Sequence, residues 1–137
     1  MSNNFVLDAC ALVALLKNEE GADVVDAIYK QARNSEATII MNRVNLLEVY
    51  YGFYHSDGKD FADKILDSVA KSIVTICEFS KDFFPIAGRL KATYKISLAD
   101  SIVITQSLLL DGELITSDHH EFDALEGIEG IRLHWIR

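Results

Sequence analysis

Four acidic residues carry the chemistry that this sequence suggests: Asp8, Glu48, Asp100 and Asp118. Asp8 is the only charged residue among the first 16, in Phe5-Val6-Leu7-Asp8-Ala9-Cys10-Ala11-Leu12. Glu48 stands in Val44-Asn45-Leu46-Leu47-Glu48-Val49-Tyr50-Tyr51, Asp100 in Ser97-Leu98-Ala99-Asp100-Ser101-Ile102, and Asp118 in Leu114-Ile115-Thr116-Ser117-Asp118. Two carboxylates ~4 Å apart repel by about 4 kcal/mol at an effective dielectric of 20. Four gathered together must raise their own pKa values or take up cations. Donors that are all oxygen select hard ions, of which Mg²⁺ and Mn²⁺ are the candidates. Such an ion activates water and stabilises charge on a phosphodiester under attack. The chemistry indicated is phosphodiester hydrolysis with no covalent protein intermediate.

Each acid also has a structural explanation. Asp8 fits an N-cap for the apolar segment that follows it, worth about 1 kcal/mol. Asn45-x-x-Glu48 and Ser97-x-x-Asp100 both have capping-box spacing. Helical spacing begins at about Val44, however, which makes Asn42 the better cap and sets Glu48 one turn further in. There it shares a face with Val44, Leu47, Tyr51 and His55, a face expected to be buried. Asp118 reads as loop polarity or another cap. What capping does not explain is why all four should gather at one edge.

The elements that would gather them follow from periodicity. Strands are expected at 5–7, 38–41, 72–76, 113–116 and 131–135. Helices are expected at 11–16, 22–32, 44–54, 59–69, 84–94 and 97–110. Pro85, the only proline, falls in a first turn, where a missing N–H costs little. Gly112 is placed to stop the helix that ends at Leu110. Strands alternating with helices predict an α/β fold with a mainly parallel central sheet, in one domain spanning 1–137. Function in such sheets sits beyond the carboxyl ends of the strands, where Asp8 and Asp118 fall.

Composition narrows the choice. The 137 residues are 50% hydrophobic and 25% charged, and 13 Lys+Arg against 21 Asp+Glu give a net charge of −8. That balance opposes a simple DNA-binding module, whose affinity comes from neutralising phosphates. It suits a basic protein partner. No apolar run is long enough to span a membrane. The opening Met1-Ser2-Asn3-Asn4 lacks the marks of a secretory leader. Cys10 and Cys77 lie among apolar residues and read as buried thiols, so a reducing cytoplasm is expected. Gly-rich phosphate loops are missing, which opposes a nucleoside triphosphatase. A phospho-acceptor receiver would want paired acids after its first strand, where Ala9 stands, and a Lys after its last.

On these four motifs, in this order, the chain resembles PIN-domain ribonucleases, most closely the VapC-type toxins of bacterial toxin–antitoxin pairs. Leu7-Asp8-Ala9-Cys10-Ala11-Leu12 resembles the opening strand of that family, and Asn45-Leu46-Leu47-Glu48-Val49 its glutamate helix. Ile96-Ser97-Leu98-Ala99-Asp100-Ser101 is the most diagnostic segment, and Leu114-Ile115-Thr116-Ser117-Asp118 followed by Phe122 matches the last motif. The resemblance implies a PIN-like fold and a metal-dependent endoribonuclease. Asp8, Glu48, Asp100 and Asp118 would then be both catalytic residues and ligands to one or two Mg²⁺ or Mn²⁺ ions, with water attacking phosphorus in line. It also implies an RNA substrate, a cognate protein antitoxin and a homodimer. Cys10 stands where the family often has Ser. Thr116 or Ser117 is a candidate for orienting water, and Lys17, Arg43, Arg89 and Lys91 are candidate RNA contacts.

The rival readings are a non-catalytic PIN-like scaffold and a housekeeping PIN nuclease without an antitoxin. Asp118-His119-His120 spells a motif of another phosphoesterase family, and its histidines suit a softer ion such as Zn²⁺. The earlier acidic motifs of that family are absent, so His119 and His120 are expected to be loop residues near the site. No role is assigned to Asp123. The aromatic group Tyr50, Tyr51, Phe53 and Tyr54 is expected to be core or a subunit interface.

Overall fold

The computed structural model describes residues 3–137; Met1 and Ser2, part of the leader reading, lie outside the described residues. Five strands, β1 (Asn3–Leu7), β2 (Ala37–Asn42), β3 (Thr75–Cys77), β4 (Glu113–Thr116) and β5 (Leu133–Trp135), form one sheet in the order β3-β2-β1-β4-β5. Every pairing is parallel. Seven helices surround it: α1 (Ala9–Leu16), α2 (Ala22–Arg33), α3 (Arg43–Asp57), α4 (Lys59–Ala70), α5 (Phe83–Thr93), α6 (Leu98–Leu110) and α7 (His119–Phe122). This is the α/β architecture expected, with a wholly parallel sheet among the described residues and helices on both of its faces, as a parallel sheet requires.

Alternation along the strands divides the core in two. Phe5, Leu7, Ile39, Met41 and Ile115 point to one face, where they pack with α1 to α4 through Leu12, Val25, Ile28, Leu46 and Ile65. Val6 and Leu114 point to the other and pack with Leu90, Val103, Ile104 and Phe122. The period of two along each strand enforces this division. The chain adds strands outward from β1 through β2 to β3, then returns to place β4 on the other side of β1. That reversal opens a crevice at the carboxyl ends of β1 and β4. The expected location of the site is a consequence of the strand order.

Several boundaries moved for local reasons. The third strand begins at Thr75 because Ser72 stays with the preceding helix. Its hydroxyl donates to the Val69 carbonyl at 2.7 Å and accepts from the Val74 N–H at 3.2 Å. Pro85 lies in the first turn of α5, as expected. Gly112 is not the left-handed residue that ends α6; Asp111 is, at φ 50°. Gly112 is needed for a different reason, since a Cβ there would stand 2.9 Å from the Asn4 carbonyl oxygen. His119 and His120 are not in a loop but in the one-turn helix α7, capped by Asp118. Cys10 and Cys77 are only half-buried. No helix among the described residues is long and apolar enough to cross a membrane.

Candidate active site

Asp8 follows β1 and caps α1, its Oδ1 accepting from the Ala11 N–H at 2.8 Å. The Cys10 thiol donates to both of its carboxyl oxygens, at 3.2 and 3.3 Å. Ser117 donates in turn to the Cys10 sulfur at 3.4 Å. Cys10 is therefore a hydrogen-bonding partner of Asp8 and not an apolar filler. Asp8 is 5% exposed, and burial pushes it up to about 6 although Thr116, Ala11 and Cys10 all favour its charged form. Burial and the neighbouring Asp8 together push the Cys10 thiol up to about 11, so it stays protonated and acts as a donor.

Asp118 lies across the crevice, two residues past β4. It accepts from the Glu121 N–H at 3.1 Å, while its own N–H donates to Thr116 Oγ1 at 3.0 Å. Its charge raises Asp8 from one side and Asp100 from the other. Asp100 stands in the first turn of α6, which Ser97 caps by accepting from the Asp100 N–H at 3.0 Å. Burial, opposed by Ser97 and assisted by Asp118, Glu121 and Glu48, brings Asp100 up to about 7. Glu48 completes the group and is also raised, chiefly by burial. The four expected carboxylates are thus linked in a chain of pairwise influences, Asp118 on Asp8 and both Asp118 and Glu48 on Asp100.

Capping and clustering coexist here. Asp8 and Asp118 are N-caps, and Asp100 sits at the third position of a capped helix. Glu48 is not a cap, because Asn42 accepts from the Val44 N–H at 3.0 Å. The face that Glu48 shares with Leu47 and Tyr51 is not buried, as expected from the sequence, but open: these two are 57% and 58% exposed. The inward side of α3 carries Asn45, Leu46, Val49 and Phe53 instead. Two further residues act on these carboxylates without being among the site residues expected from the sequence. Glu121 acts on Asp100, and its only signal was the spacing Asp118-x-x-Glu121. Asn45 donates to the Ala99 carbonyl at 3.1 Å and to Glu48 Oε1 at 3.4 Å, and it had been weighed only as a cap.

His119, which follows Asp118 directly, is engaged with the C-terminal segment. His119 bonds Asp123 Oδ1 through Nδ1 at 2.7 Å and the Arg137 carbonyl through Nε2 at 2.8 Å, and it stacks on Trp135 at 3.8 Å. Both ring nitrogens are used, so His119 ties down the C-terminal segment and has none left for a Zn²⁺. Among the four candidate RNA-contacting cations, Arg43 is paired with Glu78 and Arg89 with Glu129. Lys17 lies beside the site instead, in a groove of about 210 Å³ shared with Glu48, Gly52 and Phe53.

Among the described residues, no three Asp, Glu, His or Cys side chains stand close enough together to hold one ion as they are. The donor chemistry nevertheless fits Mg²⁺ or Mn²⁺. The groups there are carboxylates in no ion pair among the described residues, and a partnerless buried amide oxygen, Asn45 Oδ1.

The chain belongs to the PIN domain family, whose profile matches residues 5–128. No curated protein sequence matches it. Among solved structures it is similar to VapBC2 from Rickettsia felis bound to a promoter DNA fragment. That match has 21% identity and a TM-score of 0.76, and it covers 96% of this chain and 98% of that one. DNA-bound VapBC from Salmonella typhimurium gives 13% identity and a TM-score of 0.76, covering 98% and 99%. The sarcin–ricin loop cleaving toxin VapC20 from Mycobacterium tuberculosis gives 13% and 0.60, covering 88% and 91%. At these identities the likeness is one of fold.

Proposed function

We propose that the protein is a divalent-metal-dependent endoribonuclease and the toxin of a toxin–antitoxin pair, working in the cytoplasm. What supports this reading is that Asp8, Asp100 and Asp118 influence one another at the strand ends of a PIN-family sheet, with Glu48 beside Asp100, and that none of the four forms an ion pair among the described residues. Asp8 and Asp100 are the catalytic and metal-binding residues at its centre, flanked by Glu48 and Asp118. Mg²⁺ or Mn²⁺ bound among them supplies Lewis acidity toward a phosphodiester and a more acidic water. Asp8 is held in orientation by Cys10 and the Ala11 N–H, and Asp118 by the Glu121 N–H. Thr116, fully buried between them, links the two sides through the Asp118 N–H. Lys17 is the cation placed to meet an RNA phosphate beside Glu48.

The partner reading also has a surface. Phe53 belongs to the core and Tyr50 is bound to Asp63, but Tyr51 and Tyr54 are exposed, as is Leu47. Leu47 and Tyr51 flank Glu48 on α3, so an antitoxin segment covering them reaches the carboxylates. A basic side chain on that segment can then replace the cation. Phe79, Phe84 and Leu98 line a separate apolar groove of about 460 Å³, a surface that a second copy of the chain can bury.

Incubation with total RNA, with and without EDTA, tests the activity. Cleavage that EDTA abolishes, at a small set of mapped ends, is expected. Intact RNA in the presence of Mg²⁺ and Mn²⁺ would leave only a binding scaffold.

A further inference from the structure

Asn45 lies on the buried side of α3, one turn before Glu48, and is 1% exposed. Its amide nitrogen reaches the Ala99 carbonyl at 3.1 Å and Glu48 Oε1 at 3.4 Å. A single nitrogen therefore spans the helix that carries Glu48 and the first turn of the helix that carries Asp100. Asn45 Oδ1 has no hydrogen-bond partner, and it is the one buried side-chain N or O among the described residues in that condition. Turning the amide over does not resolve this. The oxygen would then face the Ala99 carbonyl and the Glu48 carboxylate, and the NH₂ would be left unpaired.

Neither capping nor helix docking accounts for Asn45. Asn42 already caps α3 and also donates to Gln106 Oε1 at 3.1 Å, which makes a satisfied polar tie between α3 and α6. A leucine at position 45 would fill a similar volume without burying a partnerless oxygen, which is costly. Partnerless polar groups of this kind are tolerated where they serve a site.

Resting on the metal-nuclease reading, we propose that Asn45 is a positioning residue of the acidic site. Its nitrogen sets Glu48 relative to Asp100, and its free oxygen accepts a hydrogen bond from water brought in with the divalent cation.

The test is calorimetric titration of the full chain with Mn²⁺ alone, beside urea unfolding and cleavage kinetics, for Asn45→Leu, Asn45→Ala and Asn45→Ser. Losing such an outer partner weakens metal binding by roughly 10–100-fold. The Leu variant is expected to show that loss and a lower kcat at unchanged KM for RNA, with urea stability equal to or above that of the unaltered chain. Ser, which keeps a donor, should recover part of the Mn²⁺ affinity. If Leu fails to fold, Ala and Ser decide the matter by the same readouts. Lower stability with unaltered Mn²⁺ affinity and kcat would reduce Asn45 to a docking residue and overturn the proposal. An unaltered chain that takes up no Mn²⁺ would overturn the metal reading itself, and this proposal with it.

Discussion

The carboxylates of this protein live in two opposite environments. On the surface of α3 and α4, Asp63 accepts from Lys59 and Tyr50, both at 2.7 Å, and is held below the ordinary carboxylate range. Glu129 is likewise pulled down, by Tyr94 and Arg89. In the candidate site, by contrast, Asp8, Glu48 and Asp100 are all raised, chiefly by burial, and Asp8 and Asp100 are raised further by neighbouring carboxylates. The paired acids have what a folded protein needs. Among the described residues the clustered acids form no ion pair, and that marks a functional site better than acidity alone.

The largest effect is expected from neutralising the clustered acids. Asp8→Asn and Asp100→Asn should each lower metal-dependent RNA cleavage by at least about a hundredfold, at or beyond the range seen for losing an outer partner of a metal ligand. Both variants should remain folded, since Asn caps a helix about as well as Asp at position 8 and the Ser97 cap of α6 is untouched by a change at position 100. Cleavage assays beside circular dichroism check this. Unfolding of both variants would favour the capping explanation of these acids.

A smaller effect should appear in stability against pH, measured without divalent ions. The unfolded chain gives up the Asp8 and Asp100 protons near pH 4, whereas the folded chain holds them to about 6 and 7. The unfolded state therefore binds fewer protons in this window, and stability falls as pH rises from about 4 to about 7. For Asp8 the loss is on the order of 1–3 kcal/mol. Asp8→Asn should flatten that part of the profile and be the more stable protein at pH 8. Urea unfolding at pH 5 and pH 8 measures it.

The smallest effect belongs to the paired acids. Asp63→Asn and Glu129→Gln break exposed interactions, which contribute little. Cleavage should be unaltered and thermal unfolding nearly so. A marked loss of cleavage in either variant would show that the surface pairs and the buried cluster are coupled.

Much of this arrangement could be read from residue order. Phe5-Val6-Leu7-Asp8 and Leu114-Ile115-Thr116-Ser117-Asp118 announce buried strands ending in an acid, and parallel strands put such ends together. The orientation of α3 could not be read so easily. Leu47 and Tyr51 are apolar and suggested a buried face, yet they are exposed, while polar Asn45 faces inward against α6. Periodicity locates a stripe but does not say which stripe a neighbouring helix will cover. His119 shows the same limit. Its role depends on Trp135, Asp123 and Arg137, of which two lie further along the chain, in and after β5.

The central claim is that the raised carboxylates share a divalent cation. It is tested most directly by titrating the metal-free protein with Mn²⁺ in a calorimeter, in buffers of different ionisation enthalpy. Near pH 6, binding should release protons from Asp8 and Asp100, with fewer released near pH 8, where both are already ionised. Asp100→Asn should reduce both the affinity and the protons released. Binding that releases no protons at pH 6, or that survives Asp8→Asn and Asp100→Asn unchanged, would contradict the account.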